Sequence, residues 1–64
     1  MKEEIEKLKL YIIRMEQAIR QIQRMKALGL VEDGVEEKID EYLDAILRAR
    51  KKIKRLETEN EEGA

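Results

Sequence analysis

Apolar residues recur along the first half of the chain at alternating spacings of three and four: Ile5, Leu8, Ile12, Met15, Ile19 and Ile22. That rhythm sets them on one stripe of an α-helix. Tyr11, Ala18 and Met25 widen the stripe. The second half repeats the rhythm with Val35, Ile39, Tyr42, Ile46, Ala49, Ile53 and Leu56. Two long amphipathic helices are expected, over about residues 2–28 and 34–57, each roughly 35–40 Å long at about 1.5 Å per residue.

Between them Leu28-Gly29-Leu30 reads as a helix stop, with Gly29 in the left-handed conformation that glycine alone takes without cost and Leu30 folding back on Met25. Asp33 reads as the restart, its carboxylate capping the next turn while Glu36 reaches back to it. A turn over residues 29–33 is short enough to leave the helices antiparallel neighbours. The tail, residues 58–64, loses the apolar stripe and is expected to fray.

Residues that face each other across an antiparallel hairpin trade one step back for one step forward. Ile22 with Tyr42, Ile19 with Ile46, Met15 with Ala49, Ile12 with Ile53 and Leu8 with Leu56 keep the sum of their numbers constant to within one. The two stripes therefore match in register. The expected fold class is all-α, a two-helix antiparallel αα-hairpin filling residues 1–64 as a single domain.

Two helices side by side cannot cover so wide an apolar arc. At about 1.5–3 kcal/mol per large side chain taken from water, leaving several half exposed forfeits most of a small domain's stability. In helix 2 a second line, Glu36, Asp40, Leu43, Leu47, Arg50 and Lys54, is self-complementary when reversed about Ala45. Glu36 meets Lys54, Asp40 meets Arg50 and Leu43 meets Leu47. A copy of helix 2 crossing antiparallel would thus pair acid with base and leucine with leucine, an isologous contact. The same two-fold, carried to helix 1, sets Tyr11 against Leu28, Arg14 against Met25 and Ala18 against Gln21. The expected assembly is a homodimeric four-helix bundle whose interface includes Tyr11, Ala18 and Met25 beside the helix 2 line. Periodicity alone leaves trimers, hexamers and swapped forms open.

Charge supports the antiparallel choice. From Glu32 to Asp44 seven acids, the last of them Asp44, stand against Lys38 alone, and from Arg48 to Arg55 every charged residue is basic. Antiparallel pairing sets one block against the other, whereas parallel pairing stacks like on like. Acids near a helix start and bases near its end also answer the helix dipole, but that effect reaches only the terminal turns and leaves Leu43 and Leu47 unexplained.

Composition narrows the chemistry. The chain is 64 residues long with a net charge of −1, 45% charged and 42% hydrophobic, without Cys, His, Ser, Pro, Phe or Trp. Below roughly 70–80 residues one core seldom supplies more than about 3–5 kcal/mol, and without disulfides or metal ligands the remaining reinforcement is association. Nucleophile and base constellations have almost no parts, so no enzyme activity and no cofactor or metal is expected. Glu37, Glu41 and Asp44 read as a solvated acidic face. The basic run from Arg48 to Arg55 keeps Ala49 and Ile53 in core register and has no aromatic neighbours for base stacking, so nucleic acid is an unlikely partner. Leu10 and Ile13 lie off the core stripe; Ile13 is expected to tuck along the flank facing helix 2 and leave a single exposed Leu10, with a protein-binding patch of the two as the other reading. No apolar run is long enough for a membrane span or signal segment, and a soluble, cytoplasmic chain is expected, unless it is synthetic.

With its core register, Gly29 stop and Asp33 restart, the chain resembles the Rop-type hairpin in length and layout, which implies pairing of two hairpins into a four-helix bundle. That family binds RNA through polar residues on its paired first helices. The corresponding seam here carries Tyr11, Arg14, Ala18 and Gln21, which match no motif of the family, so the RNA role is not carried over. The restricted alphabet, with Ile and Leu at most core positions, is also similar to that of de novo designed bundles. Leu10, Met25 and the irregular Leu30-Val31-Glu32 connection depart from such designs. A self-assembly module is the function expected, with a protein- or nucleic-acid-binding module as the alternative.

Overall fold

The computed structural model of the chain describes residues 2–30 and 33–62, with side chains to residue 59. It consists of two helices, α1 (Lys2–Ala27) and α2 (Val35–Glu62), packed against each other. Each starts where acids favour a helix, Glu3 and Glu4 in α1 and Glu36 and Glu37 in α2, and α1 ends on the bases Arg24 and Lys26. The rod they form extends over 52 × 16 × 12 Å.

The end of α1 is a Schellman motif. Leu30 N–H donates to the Met25 carbonyl at 2.9 Å and Gly29 N–H to the Lys26 carbonyl at 3.0 Å. Gly29 stands at φ 73°, as the sequence predicts. The restart differs from expectation. Gly34, at φ 88°, is the residue whose carbonyl accepts the first helical bond, from Lys38 N–H at 3.3 Å. Asp33 lies one residue too early to cap, because the left-handed bend at Gly34 stands between its carboxylate and the helix, and Glu36 is drawn to Lys26 instead. The rest of the expected connection, Val31 and Glu32, lies outside the described residues.

The far end also differs. α2 runs past the expected stop at residue 57 to Glu62. Glutamates are good helix formers, and the Thr58 hydroxyl donates to the Lys54 carbonyl at 2.9 Å, so nothing in this stretch breaks the helix. The last two residues of the expected tail, 63 and 64, lie outside the described residues.

The core follows the two stripes. Ile12, Ile19, Ile46, Ala49, Ile53 and Leu56 are buried, and Ile5, Leu8, Met15, Ile39 and Tyr42 pack half-buried against them. Ile46 is the most enclosed, at 4% exposed, and no described side chain is fully sealed from solvent. A single layer of contact between two helices is all this core contains.

Candidate self-association surfaces

A two-helix rod has two flanks, one on each side of the plane through its helices. Residues that directly follow core positions of both helices meet on one flank, and residues that directly precede them meet on the other. Ion pairs mark both. Arg50 and Glu16, which follow Ala49 and Met15, approach at 3.9 Å. Lys52 and Glu4, which precede Ile53 and Ile5, pair at 3.3 Å.

The first flank carries the self-complementary line of α2. Leu43 lines a shallow groove there with Glu16, Arg20, Gln23 and Arg50. Leu47 lies one turn further along, and Glu36, Asp40 and Lys54 extend the line at spacings of three and four. Leu43 is 47% and Leu47 55% exposed, so the two leucines at the centre of the line have no cover within the chain. Ile13, one heptad before Arg20, belongs to the outer edge of this leucine flank. It stays half exposed rather than tucking against α2, and Leu10, also half exposed, lies behind it on the side of α1 away from the core.

The second flank carries Tyr11, which lines a groove with Glu41, Asp44, Ala45 and Arg48. Ala18 and Met25 follow Tyr11 at heptad intervals on the same side. Tyr11 and Met25 are both about two-fifths exposed, whereas Ala18 and Ala45 are half-buried. The nine residues expected at one interface are thus divided, six on the leucine flank and Tyr11, Ala18 and Met25 on this tyrosine flank. Sums of residue numbers fix the level of a residue along the rod but not its side, which is why the division is absent from the register arithmetic. The signal that reveals it is whether a residue precedes or follows its core neighbour.

Electrostatics within the chain engage some of the same groups. The Lys26 ammonium donates to Glu36 across the turn end and holds its carboxyl below the ordinary carboxylate range, first through the hydrogen bond and then through charge. Arg48 pairs with Asp44 one turn back at 3.0 Å. Asp40 and Lys54 make no ion pair among the described residues. The basic run of α2 lies on its polar face, since Ala49, Ile53 and Leu56 within and beside it are buried. Among the described residues no three carboxylates converge as a metal ion requires, Glu37, Glu41 and Asp44 included, and no helix is long and apolar enough to cross a membrane.

The area left open is large. The chain exposes 5502 Å², while a compact monomer of its 7.6 kDa mass exposes about 4300 Å², an excess of about 1200 Å². No protein-family model, curated protein or solved structure matches the chain.

Proposed function

We propose that the chain is a structural self-assembly module whose hairpins pair through the leucine flank into a four-helix homodimer. In this assembly α2 lies antiparallel to its copy about a two-fold at the level of Ala45, between Leu43 and Leu47. The observation that carries the reading is the pair Leu43 and Leu47, each about half exposed at the centre of a line whose charges are opposite on either side of them. Leucine adhesion supplies the affinity, and the charges choose the direction. Arg50 is only loosely held by Glu16, at 3.9 Å, and can turn to the copy's Asp40.

The test is solution mass by light scattering together with charge reversal. A dimer at micromolar concentration, with a melting temperature that rises with concentration, is expected. A monomeric mass with concentration-independent melting rejects the reading. Asp40→Arg weakens the dimer and Arg50→Asp added to it restores it, because the pair is mutual. This pair is the cleaner choice, since Glu36 is already engaged by Lys26. Molar salt weakens but does not abolish the dimer, as screening acts on the charges and not on the leucines.

A second reading rests on Leu10 and Ile13, 48% and 50% exposed, as a protein-binding patch. A Leu10→Glu variant separates the two, because Leu10 lies on the side of α1 away from the core and off the leucine flank: a binder loses its partner, while a pure bundle keeps its mass.

A further inference from the structure

We propose that the tyrosine flank is a second self-contact, so that hairpins paired through their leucine flanks join further copies and grow into an open stack. This rests on the leucine-flank dimer for its first contact and adds the opposite face.

The tyrosine flank has its own two-fold complementarity at the level of Ala45. Reversed on itself, it sets Glu41 against Arg48 and Ala45 against its copy on α2. On α1 it brings Tyr11, which lines the same groove as Ala45, close to the two-fold. The α1 side of this flank is apolar and open, with Tyr11 42%, Met25 40% and Leu28 67% exposed. Ala45 at the centre is small, which lets the two copies of α2 approach closely. One like-charge encounter, Lys38 with Lys52, is eased because Glu4 already pairs with Lys52 at 3.3 Å. The alternative of α1 against the copy's α2 brings Arg14 to Arg48 and Lys7 to Arg55, so the two-fold arrangement is favoured by charge.

Area points the same way. A standard interface removes about 800 Å² from each partner, less than the excess of about 1200 Å² that this rod exposes. One contact of that size does not remove the whole surplus.

The consequence is geometric. A single isologous contact closes on itself, but a body with two of them on opposite faces has none that ends the series. Both two-folds lie at one level and cross the long axis, so copies add along the thin dimension of the rod, about 8–10 Å per layer.

The experiment compares three proteins by light scattering from micromolar to millimolar concentration, with helicity checked by circular dichroism. The unmodified chain is expected to rise in mean mass beyond twice the chain mass. Tyr11→Glu/Met25→Glu, at exposed positions, is expected to stop at the dimer. Leu43→Glu/Leu47→Glu is expected to form a dimer through the tyrosine flank alone. Oxidation of a Glu41→Cys/Arg48→Cys variant is expected to give inter-chain crosslinks, a readout that holds even if the glutamates unfold the chain. An unmodified chain that stays dimeric throughout, with no crosslink from the cysteine variant, overturns the second contact and leaves the leucine-flank dimer standing. A Leu43→Glu/Leu47→Glu variant with unchanged mass, beside crosslinks from the cysteine variant, overturns the stack but reassigns the dimer to the tyrosine flank.

Discussion

In the middle of the rod Ile12, Ile19, Ile46, Ala49 and Ile53 are all buried, whereas beside the turn Ile22, Val35, Ile39 and Tyr42 are half-buried and Met25 is 40% exposed. The same apolar rhythm runs through both regions, so the difference is not one of residue type. Beside the turn a connection with two left-handed glycines carries the chain from one helix to the other, and an open notch of about 530 Å³ remains between Ile22, Met25, Val35 and Tyr42. The covalent link brings the helices together, but side-chain fit, furthest from its geometric demands, is what holds them.

The largest effect expected from this contrast is at Ile46. Truncation by Ile46→Ala should cost about 2–5 kcal/mol, while Ile39→Ala, at the looser end, should cost about half as much because part of its surface is already wet. Urea melts at one protein concentration decide it, and equal costs would erase the distinction between the regions.

Backbone changes at the turn come next. Gly29→Val and Gly34→Val should each cost about 1–2 kcal/mol through left-handed strain on a branched residue. An added Cβ meets nothing within 4 Å at either glycine, so the loss expected is conformational rather than a clash of the Cβ. Asp33→Ala, by contrast, should change stability by no more than about 0.5 kcal/mol, the usual range for a surface site without a special role. A large loss at Asp33 would restore it as the cap.

The smallest effect sharpens the picture at the turn end. Glu36 has its carboxyl pKa lowered by Lys26, so the pair adds stability above the ordinary carboxylate range and loses it as pH falls through the lowered value. Glu36→Gln should therefore lower the melting temperature at neutral pH and leave it unchanged in strong acid. A difference that persists in acid would mean that the glutamine disturbs packing rather than charge.

Much of the fold was legible because a heptad rhythm is redundant: each of the six buried residues sits on a stripe that several neighbours define. Gly29 was legible from the apolar residues around it. Gly34 was not, since Asp33 beside it supplied a plausible cap and only the backbone shows which of the two makes the bend. The run to Glu62 was missed because a stripe reports packing, and these last turns need none to stay helical. The flanks were partly hidden for a related reason. Leu43 and Leu47 announce themselves by charge symmetry, while Lys26–Glu36, Arg50–Glu16 and Lys52–Glu4 depend on which rotamers reach across a groove.

The length of the connection also sets a phase. Carried straight through the connection, the heptad of α1 would continue from Ile19 and Ile22 onto Glu36, Asp40, Leu43, Leu47, Arg50 and Lys54, not onto Ile39 and Ile46. An unbroken helix would then wind acids and bases into the seam of its own coil, which guards the hairpin against opening into a long rod shared by two chains. One residue inserted into the connection removes that guard, because Ile39, Tyr42, Ile46 and Ala49 then fall into the frame of α1. Replacing both glycines with alanine in such an insertion variant should lengthen the particle seen by small-angle scattering from the present 52 Å toward about 95 Å. The same double replacement without the insertion should not.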